Sequence, residues 1–436
     1  MEGRRRRALN RLRAEASHTF ASLEHRNFAL HFWSQTISIS GTWLQMMAQT
    51  LLALRLSDSG TVLGLLTAMQ FCPALVLGAW AGVAIDRLPR RRVMEVCSIT
   101  MLVVAGALGA LTVMDRITLT WLFVFAGISG LVNTFDNTAR RALVSELVPV
   151  ESLPNAVSLN STVVTAARLV GPALAGILVT TVGIGWCFLL NAVTFVAPLL
   201  SFRRMGPEVW LNHVPLQDRR GALRAGLRYA WANTDVKVPL LLTAVVGAFG
   251  YNAQVVLPLL AKRELGGTEA TFTLLAAAGS IGMLAGSLWL ARRRVITTRL
   301  VSIGAVSFGF ANGLLGVAPD VPSAFAASVA TGFAAVCILS GANTVVQLAA
   351  SVAMRTRMLA LFNVVFLGST PVGGPIVGMI AETAGTRPAI AFGAVLSVLV
   401  GGVAVASLDG GRRRAPVQPI DPDLPADPIV APGSAT

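Results

Sequence analysis

The feature that most constrains this chain is a recurring apolar run of about 20 residues, each able to cross a hydrocarbon core of about 30 Å. Twelve such spans are predicted, at 28–54, 61–85, 93–114, 117–139, 157–181, 184–202, 237–260, 271–291, 299–318, 322–349, 358–382 and 387–408. Backbone groups in lipid must satisfy one another, and runs of this length do so as helices. The expected fold class is therefore an all-α membrane protein. Composition agrees, since charged residues are 13% of the 436 and hydrophobic residues 54%. A soluble domain needs roughly 25% charged residues. Short polar links at 57–60 and 318–322 mark tight reversals.

The net charge of +14 could suggest a nucleic-acid partner, but the charges sit in alternate loops. If the N-terminus is cytoplasmic, the outer loops hold only Arg55, Arg116, Lys262, Arg263 and Arg387, and Arg168 falls inside a helix. All the other Lys and Arg then lie on the inner side. That bias is the positive-inside pattern of a multi-pass protein with an even number of spans. No nucleic-acid partner is expected; the partners are the bilayer and a small-molecule substrate, and the chain is expected to be monomeric. The expected location is the cytoplasmic membrane of a bacterium, with both termini inside. Arg4, Arg5, Arg6 and Arg7 stand far ahead of the first apolar run, so no cleavable signal peptide is predicted. Cys72, Cys97, Cys187 and Cys337 lie in apolar segments without metal-like spacing and read as buried free thiols. His18, His25, His31 and His213 also lack ligand spacing and read as surface residues, so no metal site is predicted.

The longest hydrophilic interruption, 203–235, divides the spans six and six. The expected organisation is a basic N-terminal segment (1–27), a six-helix bundle (28–205), a linker (206–235), a second six-helix bundle (236–408) and a disordered cytoplasmic tail (409–436). In the linker, Leu223, Leu227, Ala230 and Trp231 share one helical face and Arg220, Arg224 and Arg228 another. This fits an amphipathic helix on the inner membrane surface or a solvated linker helix. The halves repeat: Asn160 with Gly171-Pro172 recurs as Asn363 with Gly374-Pro375 at the same spacing, and Asn137-Thr138 recurs as Asn343-Thr344. Duplicated halves are a property of many transporters.

Between the second and third spans stands Gly82-Val-Ala-Ile-Asp86-Arg87-Leu-Pro89-Arg90-Arg91-Arg92. This loop resembles the signature of the major facilitator superfamily, with Pro89 in place of the usual second glycine. A second run, from Asp136-Asn137 through Arg140-Arg141 and Glu146 to Gly171-Pro172 and Gly176, resembles the drug- and siderophore-exporting branch, similar to enterobactin exporters and macrolide efflux proteins. The resemblance implies two pseudo-symmetric six-helix bundles and export by alternating access. It also implies that Gly82, Asp86, Arg87, Arg90 and Arg91 form a gating loop, with Asp86 against the start of the eleventh span near Met358. An anion is favoured there by the helix dipole. Gly171, Pro172 and Gly176 would form the antiporter-type helix of exporters, or serve only close packing. A proton gradient is the implied energy source, and no cofactor is implied.

In that fold the first, fourth, seventh and tenth spans line the cavity. Polar stripes at Gln35, Ser38, Thr42, Gln45 and Gln49, at Ser129, Asn133, Asp136, Asn137 and Arg140, and at Ser340, Asn343, Gln347 and Ser351 read as cavity walls or as interhelical hydrogen bonds. Arg168 is expected ~16 Å deep, where a guanidinium costs roughly 2.5–3.5 kcal/mol unless partnered. Asp136 is the expected partner, in a structural or gating pair. Asp136 is also the leading proton-site candidate, with Glu382 as the alternative. A Walker loop, His-Glu-x-x-His and Gly-x-Ser-x-Gly are all missing from the sequence, so an ATP-driven pump and an enzyme are disfavoured. The expected function is secondary export of a small organic molecule. An uptake or uniport carrier, or a non-transporting sensor, remains open.

Overall fold

The structure, a computed structural model, describes residues 21–206 and 222–410 apart from Ser145 and Arg294. Arg4, Arg5, Arg6, Arg7, Arg11, Arg13, His18, His213 and Arg220 lie outside the described residues, as does the tail from residue 411. Twelve long helices alternate in direction: α1 (Arg26–Ser57), α2 (Gly60–Arg87), α3 (Arg90–Val113), α4 (Leu119–Val144), α5 (Leu153–Thr181), α6 (Ile184–Arg204), α7 (Thr234–Glu264), α8 (Glu269–Ala291), α9 (Thr298–Gly316), α10 (Val321–Ala349), α11 (Val352–Thr383) and α12 (Thr386–Gly410). A linker helix (Ala222–Ala232) precedes α7. Among the described residues, ten of the twelve are apolar and long enough to cross a membrane. α1, with 32 residues, is as long but carries more polar side chains, and α5, with 29 residues, contains side chains outside the described set.

Helix starts follow local chemistry. Ser59 Oγ accepts the Val62 N–H at 3.4 Å and Thr297 Oγ1 accepts that of Leu300 at 3.2 Å. Asp320 and Ser323 form a capping box on α10. The Ser323 hydroxyl and amide hold the Asp320 carboxyl below the usual carboxylate range.

Two helices are less regular than their apolar patterns predict. The run of α6 is interrupted at Phe195, where Pro198 removes a bond to Thr194. In α7, π-turns at Val246–Gly250 and Leu260–Glu264 flank a break at Tyr251 and Asn252. The Asn252 amide donates to the Ala248 carbonyl at 2.5 Å and replaces a lost backbone donor. Glycines explain how this widened turn is tolerated. Gly373 of α11 and Gly393 of α12 press against the carbonyls of Ala248 and Phe249, where a Cβ could not fit.

α1–α6 pack together, as do α7–α12, and the two bundles meet through α2 on α11 and α5 on α8. The end carrying the 206–221 connection is called here the linker end, and the opposite end the distal end. Buried side chains form three cores. One occupies the distal end and draws on both bundles, from Leu44, Leu51 and Phe188 to Leu259, Phe272 and Val377. The other two lie at the linker end and do not mix. One contains Phe28, Met94, Leu143 and Phe202 of the first bundle, and the other Val236, Phe308, Val346 and Met358 of the second. The bundles are thus fused distally and parted toward the linker, with a cleft between them opening to the linker end. Apolar side chains such as Val103, Val193, Phe310 and Val403 are exposed on the outer faces, as expected against lipid.

The distal fusion rests on close backbone approach. Gly60 and Gly64 of α2 face Gly378 and Gly374 of α11, each pair four residues apart. Lipid offers no hydrophobic drive between helices, so association depends on small residues that let backbones touch. A Cβ on Gly374 would stand 3.2 Å from the Gly64 carbonyl oxygen, and one on Gly64 would collide with Gly374. Gly64→Leu is therefore expected to cost about 1–3 kcal/mol by overpacking and to lower the unfolding temperature in detergent. Gly402→Ala, which faces open space, is expected to leave it unchanged.

Candidate functional site

The two sequence motifs meet at the linker end of the first bundle. Arg90 opens α3 directly after Pro89, and its guanidinium is ion-paired with Glu146, just past α4. The Arg90 side chain is 8% exposed, so the signature loop is anchored to the second motif by a buried charge pair. Arg91 pairs with Glu95 one turn along at 2.9 Å, half-exposed. Arg87 is exposed, and Gly82 faces open space. Asp86 is the penultimate residue of α2, and its side chain lies outside the described set.

Asp136 and Arg140 lie four apart on α4, hence on one face. They form an ion pair with side chains 10% and 12% exposed. Asp136 is thus partnered within α4, and the expected Asp136–Arg168 pair falls on a side chain outside the described set. The short i, i+4 geometry supplies the partner without help from a neighbouring helix. Arg168 sits on α5, and its side chain lies outside the described set. His31 of α1 is within Coulombic reach of Arg140, and Cys97 of α3 is within reach of both Asp136 and Arg140. His31 is 1% exposed rather than on the surface, with no hydrogen-bond partner at either ring nitrogen. Its place on the inward face of α1, four residues before Gln35, was the available sequence signal. Of the cysteines, Cys97, Cys187 and Cys337 are buried as expected, whereas Cys72 is exposed.

The α1 stripe is mostly turned into its own bundle. Gln45 accepts a bond from the Asn191 amide of α6 at 2.7 Å, and Gln49 accepts one from Gln70 of α2 at 2.9 Å. Gln35 and Ser38 are buried, and Thr42 is half-buried with its hydroxyl donating to the Ser38 carbonyl at 2.9 Å. Gln45 and Gln49 thus follow the interhelical alternative. Asn133 of α4 is half-buried. On α10 the Gln347 amide donates to Asn343 at 3.0 Å, and both are half-buried. Gly171 packs against Trp43 of α1, and Gly176 against Thr273 of α8; the side chain of Pro172 lies outside the described set. These are close-packing contacts.

A polar network that the sequence reading did not assemble seals the distal end. Arg55 of α1 clasps Glu269 of α8, with one bond at 2.9 Å. Lys262 of α7 pairs with Asp58 at 3.0 Å, and Arg263 donates to the Asp58 carbonyl. Glu382 of α11 accepts the Gly60 N–H of α2 at 2.7 Å and a bond from Arg263 at 3.3 Å. Four of these five links join one bundle to the other, and the fifth, between Arg263 and Glu382, lies within the second bundle. The signal was available: the few distal cations Arg55, Lys262 and Arg263 face acids in the short loops of the opposite half.

A family model described as "Transmembrane secretion effector" matches residues 17–413. The staphyloferrin A transporter of Staphylococcus aureus is 23% identical over 66% of this chain and 72% of its own length. The multidrug efflux pump Tap of Mycolicibacterium fortuitum is 23% identical over 84% of this chain and 92% of its own. Among solved structures, a bacterial homologue of the human lysosomal transporter Spinster in an inward-facing and occupied conformation superposes with a TM-score of 0.66. It is 18% identical and covers 88% of this chain and 97% of its own. A bacterial homologue of ferroportin in an inward-facing state gives 0.68 at 15% identity, over 87% and 98%. The chain belongs to the transmembrane secretion effector family of the major facilitator superfamily. It is a multi-pass membrane transporter and not an enzyme.

Removing one partner of a buried ion pair leaves an uncompensated charge, at a cost of about 3–5 kcal/mol. Asp136→Asn is accordingly expected to reduce the yield and thermal stability of monodisperse protein. Asp136→Asn combined with Arg140→Gln, which removes both charges, is expected to recover much of the loss.

Proposed function

We propose that this chain exports a small organic molecule from the bacterial cytoplasm by alternating access, driven by proton entry. The observation that carries this reading is the one-sided cleft: one shared core at the distal end and two separate cores at the linker end. A carrier must be able to exchange that arrangement for its opposite, and the distal seal is built from contacts that can part. Hydrogen bonds, ion pairs and glycine contacts can break without unpacking a bundle.

The linker end is read as cytoplasmic because the Arg and Lys residues concentrate in the segments joining α2 to α3, α6 to α7 and α8 to α9. The cleft of this structure then faces the cytoplasm, where a substrate for export is loaded. In this reading 28–205 and 236–408 are the two moving units, and 1–27, 206–235 and 409–436 are cytoplasmic. Thr42, Asn133, Asn343 and Gln347 are the polar positions proposed to meet substrate. Asp136 is the proposed proton carrier. It is an acid held in low dielectric beside Arg140, where gain of a proton would release the guanidinium to reorient. Glu382, the alternative, is engaged in the distal seal. Similarity to a siderophore transporter and to a multidrug efflux pump favours organic solutes over simple ions.

The test is efflux from a pump-deficient bacterium expressing the full chain, across a panel of dyes, antibiotics and iron chelators with and without a protonophore. At least one compound is expected to accumulate less in expressing cells, with the difference abolished by the protonophore. Lack of any such compound would overturn export, and protonophore-insensitive movement would overturn proton coupling in favour of uniport.

A further inference from the structure

α2 and α11 run antiparallel and form the most extensive helix pairing in the molecule. Each therefore places its last turn beside the first turn of the other. At the distal end the last turn of α11 carries Glu382, the penultimate residue of that helix. Its carboxylate takes the Gly60 N–H, the first amide of α2, at 2.7 Å. The first four N–H groups of a helix have no partner within it, and the dipole favours an anion there. Arg263 holds the same carboxylate at 3.3 Å and ties in the Asp58 and Ala381 carbonyls. The geometry makes Glu382 a cap supplied to one bundle by the other.

An interaction across the bundles at the distal end exists only while that end is closed. It therefore biases the two-state equilibrium by its full differential strength. At its other end the same helix pair runs toward the linker. In this structure the cores at that end are parted.

We infer that Glu382 is a distal latch between α2 and α11, a carboxylate of one bundle that caps the amide end of the other. The cap is made while the cleft opens at the linker end and is lost when the distal side opens. The inference rests on the alternating-access reading and adds the residue that sets the balance between its two states.

The test is pulsed electron–electron distance measurement on the full chain in lipid nanodiscs. Cys72, Cys97, Cys187 and Cys337 are first replaced, and spin labels are placed at Met114→Cys and Val317→Cys. These exposed positions lie in distal turns of opposite bundles, outside the network. Glu382→Ala is expected to raise the ratio of long to short distances roughly three- to tenfold, the range for one partly exposed charge-assisted bond. Glu382→Gln, which keeps the shape and an acceptor, is expected to shift it less in the same direction and serves if the alanine variant does not fold. An unchanged ratio in folded Glu382 variants would overturn the latch while leaving alternating access standing. A single short distance in every variant would overturn alternating access itself.

Discussion

The close approach of α2 and α11 is the contact on which the rest of this structure depends. Gly60, Gly64, Gly374 and Gly378 let two backbones touch, and that approach brings the first amide of α2 within reach of Glu382. It also closes the distal core, which among the described residues is the one core shared by both bundles. A joint made by large interlocked side chains would be costly to open, because each would have to leave a fitted hole. A joint of glycine backbone, ringed by ion pairs near the aqueous edge, holds its geometry without that cost. Exposed ion pairs are individually weak, so the seal depends on several polar contacts acting together, most of them bridging the bundles.

The same physics operates differently inside the first bundle. Among the described residues, two buried charge pairs there are matched locally: Asp136 by Arg140 on the same helix, Arg90 by Glu146 across one loop. Removing charge from water is costly unless the partner is fixed, and a partner four residues away is fixed by the helix itself. His31 is the exception. It is buried beside Arg140 without a hydrogen bond to either ring nitrogen, in a column that continues through Gln35 and Ser38, whose side-chain oxygens also lack partners. Unsatisfied buried polar atoms each carry a cost of about 1–3 kcal/mol. These three positions make a polar strip on a buried face of α1.

Much of the architecture was legible in the sequence because lipid makes helix length and polarity nearly decisive. The span limits, the alternation of charge and the duplicated Gly-Pro segments follow from the apolar pattern alone. The interruptions did not follow: Pro198 in α6 and the Tyr251–Asn252 break in α7 sit within runs that remain apolar. Hydropathy responds to transfer energy and not to backbone geometry. The site was less legible for another reason. Gln45 could have faced a cavity or a neighbouring helix at equal cost, and only the position of Asn191, 146 residues away, decides it. The distal seal depends on pairs such as Gly60 and Glu382, 322 residues apart, where single-sequence patterns carry no pairing information. His31 was misread because a histidine near a helix start looks solvated until the helices around it are known.

The two repeated Gly-Pro segments show how duplication supplies parts with different uses. Gly171 and Gly374 occupy corresponding positions, yet Gly171 rests on Trp43 within its own bundle while Gly374 rests on Gly64 across the interface. Contact between the bundles at α5 is instead made by Gly176 against the Thr273 side chain of α8, and it is less extensive than that of α2 on α11. One interface is thus backbone on backbone and the other backbone on side chain. Along α2 and α11 the joint is made of backbone on a glycine track, and charged side chains at its distal end, Glu382 of α11 among them, add polar contacts to it.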